Sequence, residues 1–104
     1  MPPFRRLSVK MDMERCFSEH RATIIGTCGT LLRQWQAEDL LEVADLVQEA
    51  HIYLFQRQAR LAQAHNLKAL VRRMTRDCIL DVLRKSRRNY APPIDLQQFA
   101  HLAG

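Results

Sequence analysis

The sequence predicts an all-α domain, a compact bundle of three main helices, and three observations carry that expectation. Ala, Leu, Gln, Arg and Glu, all good helix formers, dominate the 104 residues. Only three Gly and four Pro punctuate the chain, too few for a turn-rich β fold. Apolar residues recur at steps of three and four in three separate segments. The length suits one hydrophobic core, with 47% hydrophobic and 26% charged residues. Residues 1–11 read as an N-terminal tail, 12–90 as the helical domain, and 91–104 as a linker or short terminal helix.

The first helical segment runs from Asp12, a plausible N-cap, to Trp35. Met13, Phe17, His20, Ile24, Cys28, Leu31 and Trp35 form its apolar stripe. Gly26 and Gly29 lie inside it and mark either a kink or a close approach by another helix. His20 reads as a core or boundary histidine, and Cys16 and Cys28 as small core residues.

The second segment, residues 37–58, is expected to be helical throughout. Leu40, Val43, Val47 and Leu54 supply much of its buried face, with Ala44, Ala50 and Ile52 beside them. Glu38, Glu42, Asp45 and Glu49 recur at steps of four, three and four and so line up as one acidic ridge. A merely solvated face would interleave lysines for i,i+4 pairs, yet no base occurs between Gln34 and Gln56. The ridge therefore reads as a docking surface for a basic partner. A polar connector, QRQARLAQAHN, follows.

The third segment places Leu67, Leu70, Val71, Met74, Cys78, Val82 and Leu83 on one side. Lys68, Arg72, Arg73, Arg76, Arg84, Arg87 and Arg88 fall mostly on the other, and Asp77 and Asp81 can pair with Arg73, Arg84 and Lys85. Pro92 and Pro93 end the helix.

Charge divides the chain. The formal net charge is +5, but residues 1–50 hold six basic and eight acidic side chains, and residues 51–104 ten basic and three acidic. All ten bases of the second half lie between Arg57 and Arg88. Such density points to a polyanion, nucleic acid above all, against the plainer reading of a solvated arginine face.

Chemistry is not indicated. The chain has no P-loop, GxSxG, HExxH or GxGxxG pattern. His20, His51, His65 and His101 share no metal spacing, and three cysteines without a CxxC fit a reducing cytoplasm. No apolar run approaches the ~20 residues that span a bilayer. The reading is a cytoplasmic binding protein, not an enzyme, with no cofactor, metal, membrane or small-molecule substrate.

Two segments carry a resemblance. ADLVQEAHIYLF (Ala44 to Phe55) and LKALVRRMTRDCILDVLRKSRR (Leu67 to Arg88) resemble, in order and spacing, regions 2.2 and 2.3–2.4 of the sigma-70 family of RNA polymerase sigma factors, extracytoplasmic-function type. The DLVQE core and the frame Arg76, Asp81, Arg84 carry it, and it covers roughly residues 12–90. The resemblance implies a region 2-like bundle whose partners are the β′ clamp helices of core RNA polymerase, promoter DNA and an anti-sigma factor. Asp45, Gln48 and Glu49, on the ridge with Glu38 and Glu42, would then face the clamp helices. Lys68, Arg72, Arg73, Arg76, Asp77, Arg84, Arg87 and Arg88 would face the unwound non-template strand of the minus-ten region.

Three departures stand out. Leu70 occupies the family's Trp position and Asp77 its Asn position, and nothing after Pro93 forms the helix-turn-helix of region 4. The chain thus reads as an isolated region 2 or a stand-alone sigma-like protein. The alternative is a sigma mimic or helical adapter that binds polymerase or another protein without melting a promoter. A generic helical DNA-binding protein would leave the acidic ridge unexplained.

Overall fold

The structure, a computed structural model, describes residues 11–89. Helices α1 (Met13–Glu19), α2 (Arg21–Gln34), α3 (Val43–Gln56), α4 (Gln58–Ala62) and α5 (Leu67–Asn89) make an all-α bundle, with no strand among the described residues. The three long helices α2, α3 and α5 pack against one another pairwise. The expected C-terminal turn or helix and the N-terminal tail up to residue 10 lie outside the described residues.

Side chains start the first and last helices. Asp12 has extended backbone, and its carboxylate accepts from the Arg15 N–H at 3.1 Å, satisfying one orphan donor of α1. Asn66 does the same for α5, accepting from the Ala69 N–H at 3.1 Å. Arg87 and Arg88 in the last turn of α5 suit the negative end of its dipole.

The first segment is two helices, not one. The break falls at His20 (φ −110, ψ 16), and neither glycine kinks α2 or meets a close helix. The Gly26 position has nothing within 4 Å of a built Cβ, and that of Gly29 meets only the Arg33 guanidinium at 3.4 Å. With α1 turned at His20, Met13 and Cys16 are buried, and Phe17 stacks on His51 of α3 with ring centroids 4.2 Å apart.

The second segment is helical only from Val43. α2 ends in a Schellman turn: the Ala37 N–H donates to the Leu32 carbonyl and the Gln36 N–H to that of Arg33, both at 3.0 Å. Gln36 takes the left-handed conformation (φ 52) that glycine usually fills there. Ala37 is buried beside Leu32 in the core, and residues 38–40 turn before α3 begins.

The expected α3 stripe is met by Ala50 and Leu54, which are fully buried, and by Val43 and Val47, half-buried against the core; Leu46 joins them, whereas Leu40, Ala44 and Ile52 are exposed. Leu40 belongs to the turn before the helix. On α5 the expected stripe is met by Val71, Met74, Cys78 and Leu83, joined by Ile79 and Thr75. The connector is not all polar coil, because α4 inserts Leu61 into the core at 1% exposure. Truncating a side chain as enclosed as Leu54 to Ala costs about 2–5 kcal/mol.

Candidate functional site

Two charged surfaces flank this core. On α3, Asp45 and Glu49 sit one turn apart, exposed, with exposed Gln48 between them. Glu42 is the N-cap residue and Glu38 lies in the preceding turn, so the expected four-residue helical ridge reduces to Asp45 and Glu49, with Glu42 at the helix start. No salt bridge engages any of these carboxylates among the described residues. Ile52 and Phe55 continue the same face outward at 48% and 55% exposure. Apolar side chains this bare inside a charged rim are the composition of a protein-contact surface. The sequence reading had placed Ile52 near the core and given Phe55 no role; their exposure was the missed signal.

The basic residues of α5 do not form one face. Lys68, Arg72 and Arg76, each one turn from the next, line a groove shared with α2. Arg73, Arg84 and Arg88 are exposed and line none of the described clefts. Arg87 is already engaged: its guanidinium lies 5.2 Å from the centre of the Trp35 ring and donates to the Trp35 carbonyl at 3.4 Å. That contact ties the C-terminal end of α5 to that of α2. Arg57, outside that set, lies 3.6 Å over the Tyr53 ring.

The acids of α5 behave differently from each other. Asp81 pairs with Lys85 at 3.0 Å. Asp77 is exposed, and the expected pairing with Arg73 is not formed among the described ion pairs. A free carboxylate therefore stands on the outward side of the arginine helix. Leu70, at the other departure from the family pattern, is half-buried against the core.

The α2–α5 groove was missed by the sequence reading. It encloses about 470 Å³, and its second wall carries Thr23, Gly26, Thr27 and Thr30. The Thr27 hydroxyl donates to the Thr23 carbonyl at 2.7 Å, and the Thr30 hydroxyl accepts from Arg33 at 3.5 Å. Small polar residues at steps of three and four on α2 were the available signal. The bare Gly26 position widens the groove rather than admitting a helix.

The three cysteines and His51 sit in packed surroundings. Cys16, Cys28 and Cys78 are free and buried. Burial pushes the Cys28 thiol up to about 11, with the Cys78 thiol adding to it, and burial pushes Cys78 to about 11 as well. Burial of this kind favours the protonated thiol at neutral pH. Burial also lowers the pKa of His51, which favours its neutral form in the stack on Phe17. No group of three or more His, Cys, Asp or Glu among the described residues could hold a metal ion. No helix among them is long and apolar enough to cross a membrane.

No family model, curated protein or solved structure matches this chain.

Proposed function

We propose that this chain is a sigma-like transcription initiation module. It docks on the β′ clamp helices of core RNA polymerase through α3 and engages the non-template strand of the promoter minus-ten region through α5. The observation behind it is the pairing of two faces in the order of the sigma regions. An acidic face with bare apolar anchors on α3 precedes, on α5, two groups of cations outside any salt bridge, Lys68, Arg72 and Arg76 in the groove and Arg73, Arg84 and Arg88 beyond it. The first suits a basic protein helix, because complementary charge steers docking while Ile52 and Phe55 supply burial. The second suits phosphates, which guanidinium groups hold in any sequence.

Pull-down with core polymerase tests the first half: retention at low and moderate salt is expected, and no retention at either sinks the proposal. The strand contact is tested with Asp77→Asn, which removes a negative charge beside the arginines and restores an amide donor. Tighter binding of a minus-ten single strand is the expected result; unchanged or weaker binding means that this position does not meet DNA.

A second reading is favoured by Asp77 itself. A free carboxylate on the nucleic-acid side suits an adapter that binds polymerase, or another protein, without opening DNA. Run-off transcription from a supercoiled promoter separates the two, because the adapter yields no transcript.

A further inference from the structure

We infer that the groove between α2 and α5 is a track for the phosphodiester backbone of single-stranded nucleic acid, with the threonine wall of α2 as its second side. The inference rests on the nucleic-acid half of the reading above and adds to it a surface of α2 to which no contact is assigned there.

The cations are arranged for a chain and not for one anion. Lys68, Arg72 and Arg76 stand at i, i+4 and i+8 of one helix, roughly 6 Å apart along the axis and roughly 12 Å from first to last. A single phosphate would need them to converge, whereas successive phosphates of an extended strand meet them one after another. None of the three is in a salt bridge among the described residues, and no acidic residue lines the groove. Their charge is therefore uncompensated where the groove lies.

The opposite wall is polar, small and uncharged. Thr27 has its hydroxyl proton committed to the Thr23 carbonyl, but the Thr30 hydroxyl only accepts from Arg33 and keeps its own proton to give. Gly26 leaves the centre of that wall open. No aromatic side chain lines the groove, so it offers bases no stacking platform and holds the strand by its backbone. A cleft between two packed helices admits one strand. A duplex presents its phosphates on a broader cylinder and would touch only the rim.

Gly26 supplies the test, since it is exposed with free space around it and any side chain there improves helix propensity. Anisotropy titrations of labelled oligo-dT use the full chain, with helicity and melting checked for each variant. Gly26→Glu should weaken binding roughly tenfold by placing a like charge among the phosphates, while Gly26→Lys should strengthen it. Ile25→Glu is the control for net charge, because Ile25 is exposed on the same helix but lines the cleft toward α1 and α3. Replacing Lys68, Arg72 and Arg76 together by Gln should flatten the slope of log affinity against log salt by about 2, at about 0.7 per phosphate.

Equal weakening by Gly26→Glu and Ile25→Glu would overturn the groove. So would no effect of Gly26→Glu while Arg73→Gln with Arg84→Gln abolishes binding; that result leaves the strand on the outer face of α5 and the broader reading intact. Displacement of the oligonucleotide by equimolar dTMP would make the groove a single-phosphate site and also overturn the track. A parent protein that binds no oligo-dT even at low salt would overturn both.

Discussion

Helices α3 and α5 each bury one stripe and present mainly one sign of charge outward, Asp77 and Asp81 being the exceptions on α5, yet the two outer surfaces are built on different physics. On α3 the charges are few, and bare Ile52 and Phe55 sit among them, so contact there removes apolar area from water. On α5 the charges are many and none of the helix's own large apolar side chains is bare among the described residues, so contact there releases counterions. The inner faces differ too. α3 buries Leu46, Ala50 and Leu54, while α5 buries Thr75 at 0% exposure with its hydroxyl unpartnered among the described residues. One helix is thus made to lose water on both sides, and the other keeps a polar group inside and an electrolyte face outside.

The largest effect should come from inverting the α3 face. Asp45→Arg with Glu49→Arg should cost docking on a β′ clamp-helix fragment several kcal/mol, against little for the same change at Glu14 and Glu19. Glu19 is already paired with Arg15 at 2.6 Å on the open surface, where such a pair contributes little. Calorimetry on both double variants decides, and equal losses would break the comparison.

The α5 face should answer to salt instead. If five of its cations engage a single strand, the three of the groove and two beyond it, the log–log salt slope lies near −3.5, and Arg84→Gln with Arg88→Gln flattens it by about 1.4. The same pair should leave clamp-helix docking unchanged. An unaltered slope would show that the outer arginines are a solvated face.

Inside the bundle the effect is smaller and of opposite sign. Thr75→Val keeps the shape and removes an unsatisfied hydroxyl, and should raise unfolding stability by about 1 kcal/mol in urea denaturation. A loss of stability would mean that the hydroxyl has a partner, and the contrast between the inner faces would fall.

The smallest effect is the pH response of α3 at His51. Its folded-state pKa lies below the usual 6.5, so the unfolded chain binds the extra proton. Stability from this group is present above the unfolded value and is lost as pH falls through 6.5 toward the lowered one. A melting series across that window should show the decline in the parent and a weaker one in His51→Gln.

Much of this architecture was legible in residue spacing. Asp12, the α2 stripe through Ile24, Cys28 and Leu31, and the α5 stripe through Val71, Met74, Cys78 and Leu83 all follow from it. The edges of the α3 stripe, Leu46 inside it and Ala44 and Ile52 outside it, did not. Leu40, Leu41, Val43, Leu46, Val47, Ile52, Leu54 and Phe55 put apolar groups on several sides, and more than one buried stripe fits them equally well. The turn before α3 carries no Gly or Pro, since Gln36 takes the left-handed position, and so Glu38 was counted onto a helix it does not join. Thr75 is polar by type and buried by context, which no periodicity count detects. On the surface, the spacing of Lys68, Arg72 and Arg76 was visible, but the wall opposite them is a fact of packing alone.

The three buried thiols carry a consequence for how the bundle comes apart. Cys16 lies in α1, Cys28 in α2 and Cys78 in α5, so each of these three helices holds one silent probe. A thiol shut away from solvent reacts when its own surroundings open, and the labelling rate then measures the free energy of that opening. Uniform rates at all three would describe one cooperative unit. A faster Cys16 would mean that α1, joined to α2 at the His20 bend, peels away while the α2–α5 pair stays closed, and mass spectrometry of time-quenched samples would read the order of disassembly without adding any label site to the chain.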